Sequence, residues 1–181
     1  MKALKIAGAI ACTLIALAAI VTGIVYYRDT LVDGWLPPVF AAIVGAALAP
    51  RLRGFIARVT PLNGRVATLA AAFIFAASLV YGITLTVNSV FADRSAARDC
   101  DAVVIDRYVE QCTRYRSVGR GHMIPDGHNS VYYVTVCLLD GSAKVYETSH
   151  SRYNAVRRGS HFPVTVCPGL LGYDIILNSR F

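Results

Sequence analysis

Three long apolar runs fill the first half of the chain, and short alternating runs fill the second. Ile6 to Tyr27 is 22 residues without a charge. At about 1.5 Å per residue, a helix of that length crosses the roughly 30 Å core of a bilayer. Its hydroxyls, Thr13 and Thr22, can bond back to helix carbonyls, and Tyr26 and Tyr27 close it as aromatics do at headgroup level. The pattern predicts a spanning helix over about 6–27. A cleaved signal peptide is the rival reading, with Lys2 and Lys5 as its basic start and Ala16-Leu17-Ala18 as its cleavage site. The apolar run continues nine residues past that site, which favours an uncleaved helix. Cys12 reads as an ordinary apolar helix residue.

The second run, Trp35 to Pro50, has only 16 residues and predicts a helix over about 34–50. Pro37 and Pro38 suit a first helical turn. Ala41, Gly45 and Ala49 recur every four residues, a small-residue stripe that lets a neighbouring helix approach closely. A re-entrant or interfacial segment is the alternative for this short stretch. The third run, Val66 to Ala92, is 27 residues without a charge and can span with tilt. Ala72 and Ala76 offer it a second close-packing face. Asn88 and Ser89 fall near its end, at the water boundary.

After residue 92 the pattern changes. Residues 93–99 are polar and read as a linker, and 100–181 shows little helical periodicity. Strands are predicted over Ala102–Val109, Val131–Leu139, Ser142–Thr148, Phe162–Cys167 and Tyr173–Leu177. Asp140-Gly141 between two alternating runs is a hairpin signal. A two-residue loop there would set Val136 opposite Val145 and Thr135 opposite Tyr146. Ser151 to Gly159 reads as one helical turn or a tight loop stopped by Gly159. The expected architecture is therefore a membrane part of three transmembrane helices (1–92) and a small all-β domain (100–181). That domain would be an antiparallel sheet or a barrel of the OB or SH3-like sort.

Composition agrees with that division. Hydrophobic residues make up 55% of the chain and charged residues 16%, against about a quarter charged in an ordinary soluble domain. The net charge of +7 splits into +5 for residues 1–92 (7 basic, 2 acidic) and +2 for 93–181 (11 basic, 9 acidic). The β-domain is thus nearly neutral, which argues against nucleic acid as a partner. The charges also orient the helices. Arg51, Arg53, Arg58 and Arg65 stand between the second and third, while Arg28, Asp29 and Asp33 stand between the first and second. Lysine and arginine excess marks cytoplasmic loops. The expected topology puts the N-terminus in the cytoplasm and the β-domain outside.

Four of the five cysteines fall in the second half: Cys100, Cys112, Cys137 and Cys167. An even number on the oxidising side of a membrane reads as two disulfides. Three pairings are possible. Cys100 with Cys167 would close the domain near its ends, and Cys112 with Cys137 would staple the 113–130 connection to the best strand. No Cys-x-x-Cys occurs, which leaves redox and metal chemistry as weaker readings.

The stretch Arg120-Gly121-His122-Met123-Ile124-Pro125-Asp126-Gly127-His128-Asn129 reads as the longest outside loop. Two imidazoles, a carboxylate and a thioether could hold a borderline or soft metal, but the spacing matches no established ligand pattern. Loops carry binding contacts disproportionately. Arg120, His122, Met123, Asp126 and His128 are therefore candidates for contact with a partner. Ser149-His150-Ser151 invites a nucleophile reading, but adjacent strand residues point to opposite faces, and no Gly-x-Ser-x-Gly occurs. Asp99, Asp101 and Asp106 could pair as acid and base, although a solvated surface explains them as well. Seven tyrosines and seven arginines between Arg107 and Tyr173 are types enriched at protein interfaces. They would equally suit a glycan face or a half-buried sheet.

The order strand, Tyr-rich strand, Asp-Gly, strand, Tyr153-Asn154-Ala155-Val156-Arg157-Arg158-Gly159, Val164-Thr165-Val166 and Gly169-Leu170-Leu171-Gly172 resembles the small β-domains appended to transmembrane helices in several uncharacterised bacterial membrane protein families. The resemblance covers roughly 101–177. It implies a membrane-anchored, non-enzymatic protein and carries over no catalytic residue.

The expectation is a bacterial inner-membrane protein, not an enzyme, with no cofactor or metal. It would act as a structural or accessory subunit of an envelope complex, touching the bilayer and a protein partner or a second copy of itself. A membrane-anchored binding or sensing module for a glycan, lipid headgroup or peptide is the alternative. A transporter is disfavoured because the three apolar runs hold no ionisable side chain of the kind that marks ion pathways.

Overall fold

The structure, a computed structural model, describes residues 2–119, 122–138, 141 and 143–177. Arg120, Leu139, Asp140 and Ser142 lie outside the described residues. The chain divides into two compact units, Met1–Ala96 with Cys167–Ile175, and Ala97–Val166 with Ile176–Phe181.

The first unit holds three long helices: α1 (Lys2–Asp29), α2 (Leu36–Val59) and α3 (Arg65–Val90). Their 28, 24 and 26 residues span roughly 42, 36 and 39 Å, and each is long and apolar enough to cross a membrane. Pro37 and Pro38 stand in the first turn of α2. The second helix is longer than the sequence suggests, because Pro50 does not end it. A proline inside a helix removes one backbone bond, and neighbouring helices can compensate in an apolar setting. Here Ile56, a turn and a half beyond Pro50, is buried in a cluster with Ala49 and Ala72. Cys12, Leu52, Phe73 and Phe75 pack around that cluster. The helix therefore runs on to Thr60, whose hydroxyl donates to the Ile56 carbonyl at 2.7 Å.

Small residues set the helix contacts. Ala41, Gly45 and Ala49 are all buried, as are Ala72 and Ala76. A Cβ on Gly45 would come within 2.9 Å of the Ala77 backbone. Two glycines that carried no sequence signal do the same for α1: a Cβ on Gly82 would collide with the Ala19 carbonyl, and one on Gly23 with the Tyr81 ring. At the far end Gly8 meets Val59 in the same way. The helices therefore run up, down and up. Lys2, Lys5, Arg51, Arg53, Arg58 and Arg65 gather at one end, and Asp29 and Asp33 lie at the other.

The polar end of α3 is tied down rather than left at the water boundary. Asn88 is fully buried. Its Oδ1 accepts from the Leu171 N–H at 2.9 Å and its Nδ2 donates to the Tyr173 carbonyl at 3.1 Å. The Gly169 N–H also reaches the Tyr173 carbonyl, at 3.1 Å. A Cβ on Gly169 would strike the Asn88 amide. The same segment meets the end of α1, where the Leu31 N–H donates to the Asp174 carbonyl at 2.7 Å and Thr30 pairs with Ile175. These bonds explain why Cys167–Ile175 belongs with the helices.

The strands are β1 (Arg98–Ser117), β2 (Met123–Cys137), β3 (Ala143–Thr148), β4 (His161–Pro168) and β5 (Asp174–Ile176), with a short helix α4 (His150–Ala155) between β3 and β4. They form an open antiparallel sheet in the order β3-β2-β1-β4-β5, so the barrel expectation gives way to the sheet. Ala102, Val104, Val134, Val136, Tyr146, Val164 and Val166 are buried. Their cross-strand registers place them on one face.

The β2–β3 register is one residue from the expected one: Val136 faces Lys144, Thr135 faces Val145 and Val134 faces Tyr146. Gly141 supplies the reason. Its φ is 83°, and its N–H bonds the Leu138 carbonyl at 2.9 Å. The last registered pair is Cys137↔Ala143, and a glycine in that left-handed state fits a hairpin connection longer than two residues. A slip of one exchanges the faces, so Tyr146 is 5% exposed and Val145 is 50% exposed.

Candidate functional site: a ribbon arm

Of the stretch read as a long outside loop, Met123 to Asn129 is strand. The β1–β2 ladder continues through eight registered pairs, from Val109↔Tyr132 to Ser117↔Met123. On their outer sides β4 reaches only Val103 of β1, and β3 only Tyr132 of β2. The result is a two-stranded arm whose β1 side is exposed from Arg107 to Ser117. Pro125 and Gly127, the residues that suggested a loop, fit the ribbon without ending it. Pro125 sits on an outer edge, where a missing donor is tolerated. Gly127, at φ 91°, takes up an extra β2 residue between the Thr113 and Tyr115 pairs, as a bulge does. A second irregularity at Ile105 sets the exposed Arg107 opposite Val134.

The base of the arm is fixed by aromatic and guanidinium contacts. Arg107 Nη1 donates to the carbonyls of Tyr153 at 3.0 Å and Val156 at 2.8 Å. Its guanidinium lies 5.0 Å over the Tyr153 ring. The Tyr132 ring packs on Tyr153 and on His150, and its hydroxyl reaches His150 Nδ1 at 3.1 Å. On the opposite face Tyr108 and Tyr133 stack with centroids 5.1 Å apart. Desolvation first, then Glu110 and Glu147, push the Tyr133 phenol above its ordinary value. Much of the tyrosine and arginine excess is thus spent inside the unit, holding the root of the arm. Asp106 accepts a hydrogen bond from Arg158, which, with the Arg107 N–H, holds its carboxyl below the ordinary range. This pair is exposed and contributes little to stability.

The other expected sites disperse. His128 faces Thr113 and Met123 faces Ser117 on the arm, with Asp126 at the bulge between them, and His122 leads into β2. Among the described residues, no three His, Cys, Asp or Glu side chains converge as a metal would require. Ser149 lies at the start of α4 rather than on a strand, and its hydroxyl accepts from the Arg152 N–H at 3.5 Å. His150 turns to Tyr132 and not to a serine. The five cysteines are free. Cys137 stands opposite Val103 and Cys112 opposite Asn129, nine positions apart along β1, or roughly 30 Å. A disulfide needs Cα atoms within about 7 Å, so the Cys112–Cys137 staple does not fit this fold. Cys100 faces Val164. Burial pushes the Cys167 thiol up, which makes it a poor nucleophile.

Within the helical unit, α1, α3 and the end of α2 enclose a groove of about 430 Å³, lined by Cys12, Ile20, Ile56 and Phe75 among others. Its hydroxyls are already committed: Thr13 donates to Ala9, Thr60 to Ile56 and Ser78 to Ile74. The groove offers apolar surface and no polar path. Comparison with protein-family models, with curated proteins and with solved structures finds no match to this chain.

Proposed function

We propose that this protein is a structural, accessory subunit of a bacterial cell-envelope membrane complex. Three spanning helices anchor it in the inner membrane, and it has no enzymatic role. Because basic loops stay in the cytoplasm, the Lys2 and Arg51–Arg65 end is cytoplasmic and the sheet unit is periplasmic or extracellular. The helix faces pack with neighbours in the bilayer, and the sheet unit engages a protein partner. The observation that carries this reading is the arm. A two-stranded ribbon is marginal in water by itself, and this one exposes Val109, Tyr115, Val118, Met123 and Ile124 beside outer strand edges with no strand partner among the described residues. Strand addition by a partner is the use such an edge serves.

The test is co-purification from native membranes in mild detergent, with full-length chain and an arm-excised chain in which Asn-Gly joins Val109 to Tyr132. Those two residues already face each other, and Asn-Gly suits the tight turn required. A stoichiometric protein held by the full chain and lost with the arm is the expected result. A partner kept by both places the interface in the helices. A bait that carries a glycan, lipid or peptide but no stoichiometric protein contradicts the scaffold reading and favours a ligand-binding module.

A further inference from the structure

We propose that the outer edge of β1 along the arm pairs antiparallel with the same edge of a second copy, about a two-fold axis at Cys112. This rests on the reading of the arm as an interface and names its occupant. The two edges of the arm differ. From Arg98 to Ser117, β1 holds neither proline nor glycine, and past the bonds of Val104 to Gly159 and Ser160 its outer side has no strand partner among the described residues. The β2 edge is blunted by Pro125, which has no N–H, and by the bulge at Gly127. Only the β1 edge is fit to extend a sheet.

Its side chains are complementary to themselves. With Cys112 opposite Cys112 of the second copy, Glu110 faces Arg114 of that copy, and the symmetry repeats the pair. Tyr108 then faces Arg116, and Val109 faces Tyr115. No like charges oppose each other in this register. Among the described residues, neither Glu110 nor Arg114 has an ion-pair partner within its own chain. Opposite-charge and aromatic cross-strand pairs are each favourable, and like charges directly opposite are not. The pairing would bury the exposed flanks of Tyr108, Val109 and Tyr115 and complete a four-stranded sheet. Shifting the centre by one residue to Thr113 sets Cys112 against Arg114, so the cysteine reports the register.

The full-length protein in its native membrane, treated with copper-phenanthroline, tests this on a non-reducing gel. At a two-fold axis the Cys112 Cβ atoms stand about 4.5–5.5 Å apart, near enough to bridge with slight adjustment. A disulfide-linked dimer is expected, and Cys112→Ser should abolish it. Glu110→Arg should lower the yield roughly ten-fold, since it sets like charges opposite each other twice. Adding Arg114→Glu should restore it. A chain that stays monomeric under oxidant, or a Cys112 cross-link indifferent to the charge changes, overturns the self-pairing. Either result, with arm-dependent co-purification intact, leaves the scaffold reading standing with a different partner on the arm.

Discussion

Replacing Gly82 with leucine will separate α1 from α3. The first carbon of any side chain at 82 meets the Ala19 backbone, which cannot rotate away as a flexible side chain would. Overpacking by a few methylenes in a well-packed core already costs about 1–3 kcal/mol. Here four carbons are added against a carbonyl, so the cost falls at or above the top of that range. For a chain of this length, that corresponds to a melting temperature lowered by roughly 6–12 °C, measured on the purified protein in detergent. Gly54→Leu is the matched control, because nothing lies within 4 Å of a Cβ there. Leucine is also the better helix former, so Gly54→Leu should melt unchanged or slightly higher. Equal losses at the two sites would mean that α1 does not pack on α3 through this glycine.

Asn88→Leu should release the 169–173 turn while leaving the helices in place. Leucine keeps the branched outline of asparagine, with more bulk, but removes both hydrogen bonds to the turn. The Leu171 N–H and the Tyr173 carbonyl then lose a buried partner, and each such loss costs about 1–3 kcal/mol. Because the turn can open locally, the effect belongs in hydrogen exchange rather than in global melting. The peptide spanning 168–173 should exchange at least about 30-fold faster at its protected amides, with the helical peptides unchanged. Unaltered exchange in that peptide would show that Asn88 does not hold the turn.

The helical unit was largely legible in the sequence because its signals are local and continuous. Length without charge identified three spans, and four-residue spacing found Ala41, Gly45, Ala49, Ala72 and Ala76. Gly82 and Gly23 were missed because each stands alone, and a single glycine becomes meaningful only when a neighbouring backbone is seen beside it. Pro50 misled in the opposite direction. A local rule for helix ends was overridden by packing at Ile56. Asn88 was located at the end of its segment, but its partners lie more than 80 residues away, beyond the reach of any periodicity.

The sheet was legible by strand but not by extent. Val131–Cys137 and Phe162–Cys167 carry dense β-branched patterns and were found. The arm was not, because Pro125, Gly127 and the neighbouring polar residues have the composition of a loop. Their strand conformation depends on cross-strand pairing with Cys112–Ser117, a non-local fact. The β2–β3 register was missed by one because Asp-Gly suggests a two-residue loop, whereas Gly141 occupies the left-handed position of a longer one. That single residue decides whether Tyr146 or Val145 enters the core. Even cysteine number suggested bridges, but only the register could show that Cys112 and Cys137 stand far apart.

The proposed function requires that the arm be presented on the side of the membrane opposite the basic helix ends. Two single-cysteine chains, made in a background with all five native cysteines replaced, measure this in intact cells with a membrane-impermeant maleimide, the outer membrane first made permeable. Val118→Cys reports the tip of the arm, where the native side chain is 60% exposed. Asn63→Cys reports the α2–α3 connection, beside Arg58 and Arg65. The account predicts that Val118→Cys is labelled in intact cells and that Asn63→Cys is labelled only after the inner membrane is opened. The reverse pattern, with position 63 labelled and position 118 protected, would contradict it.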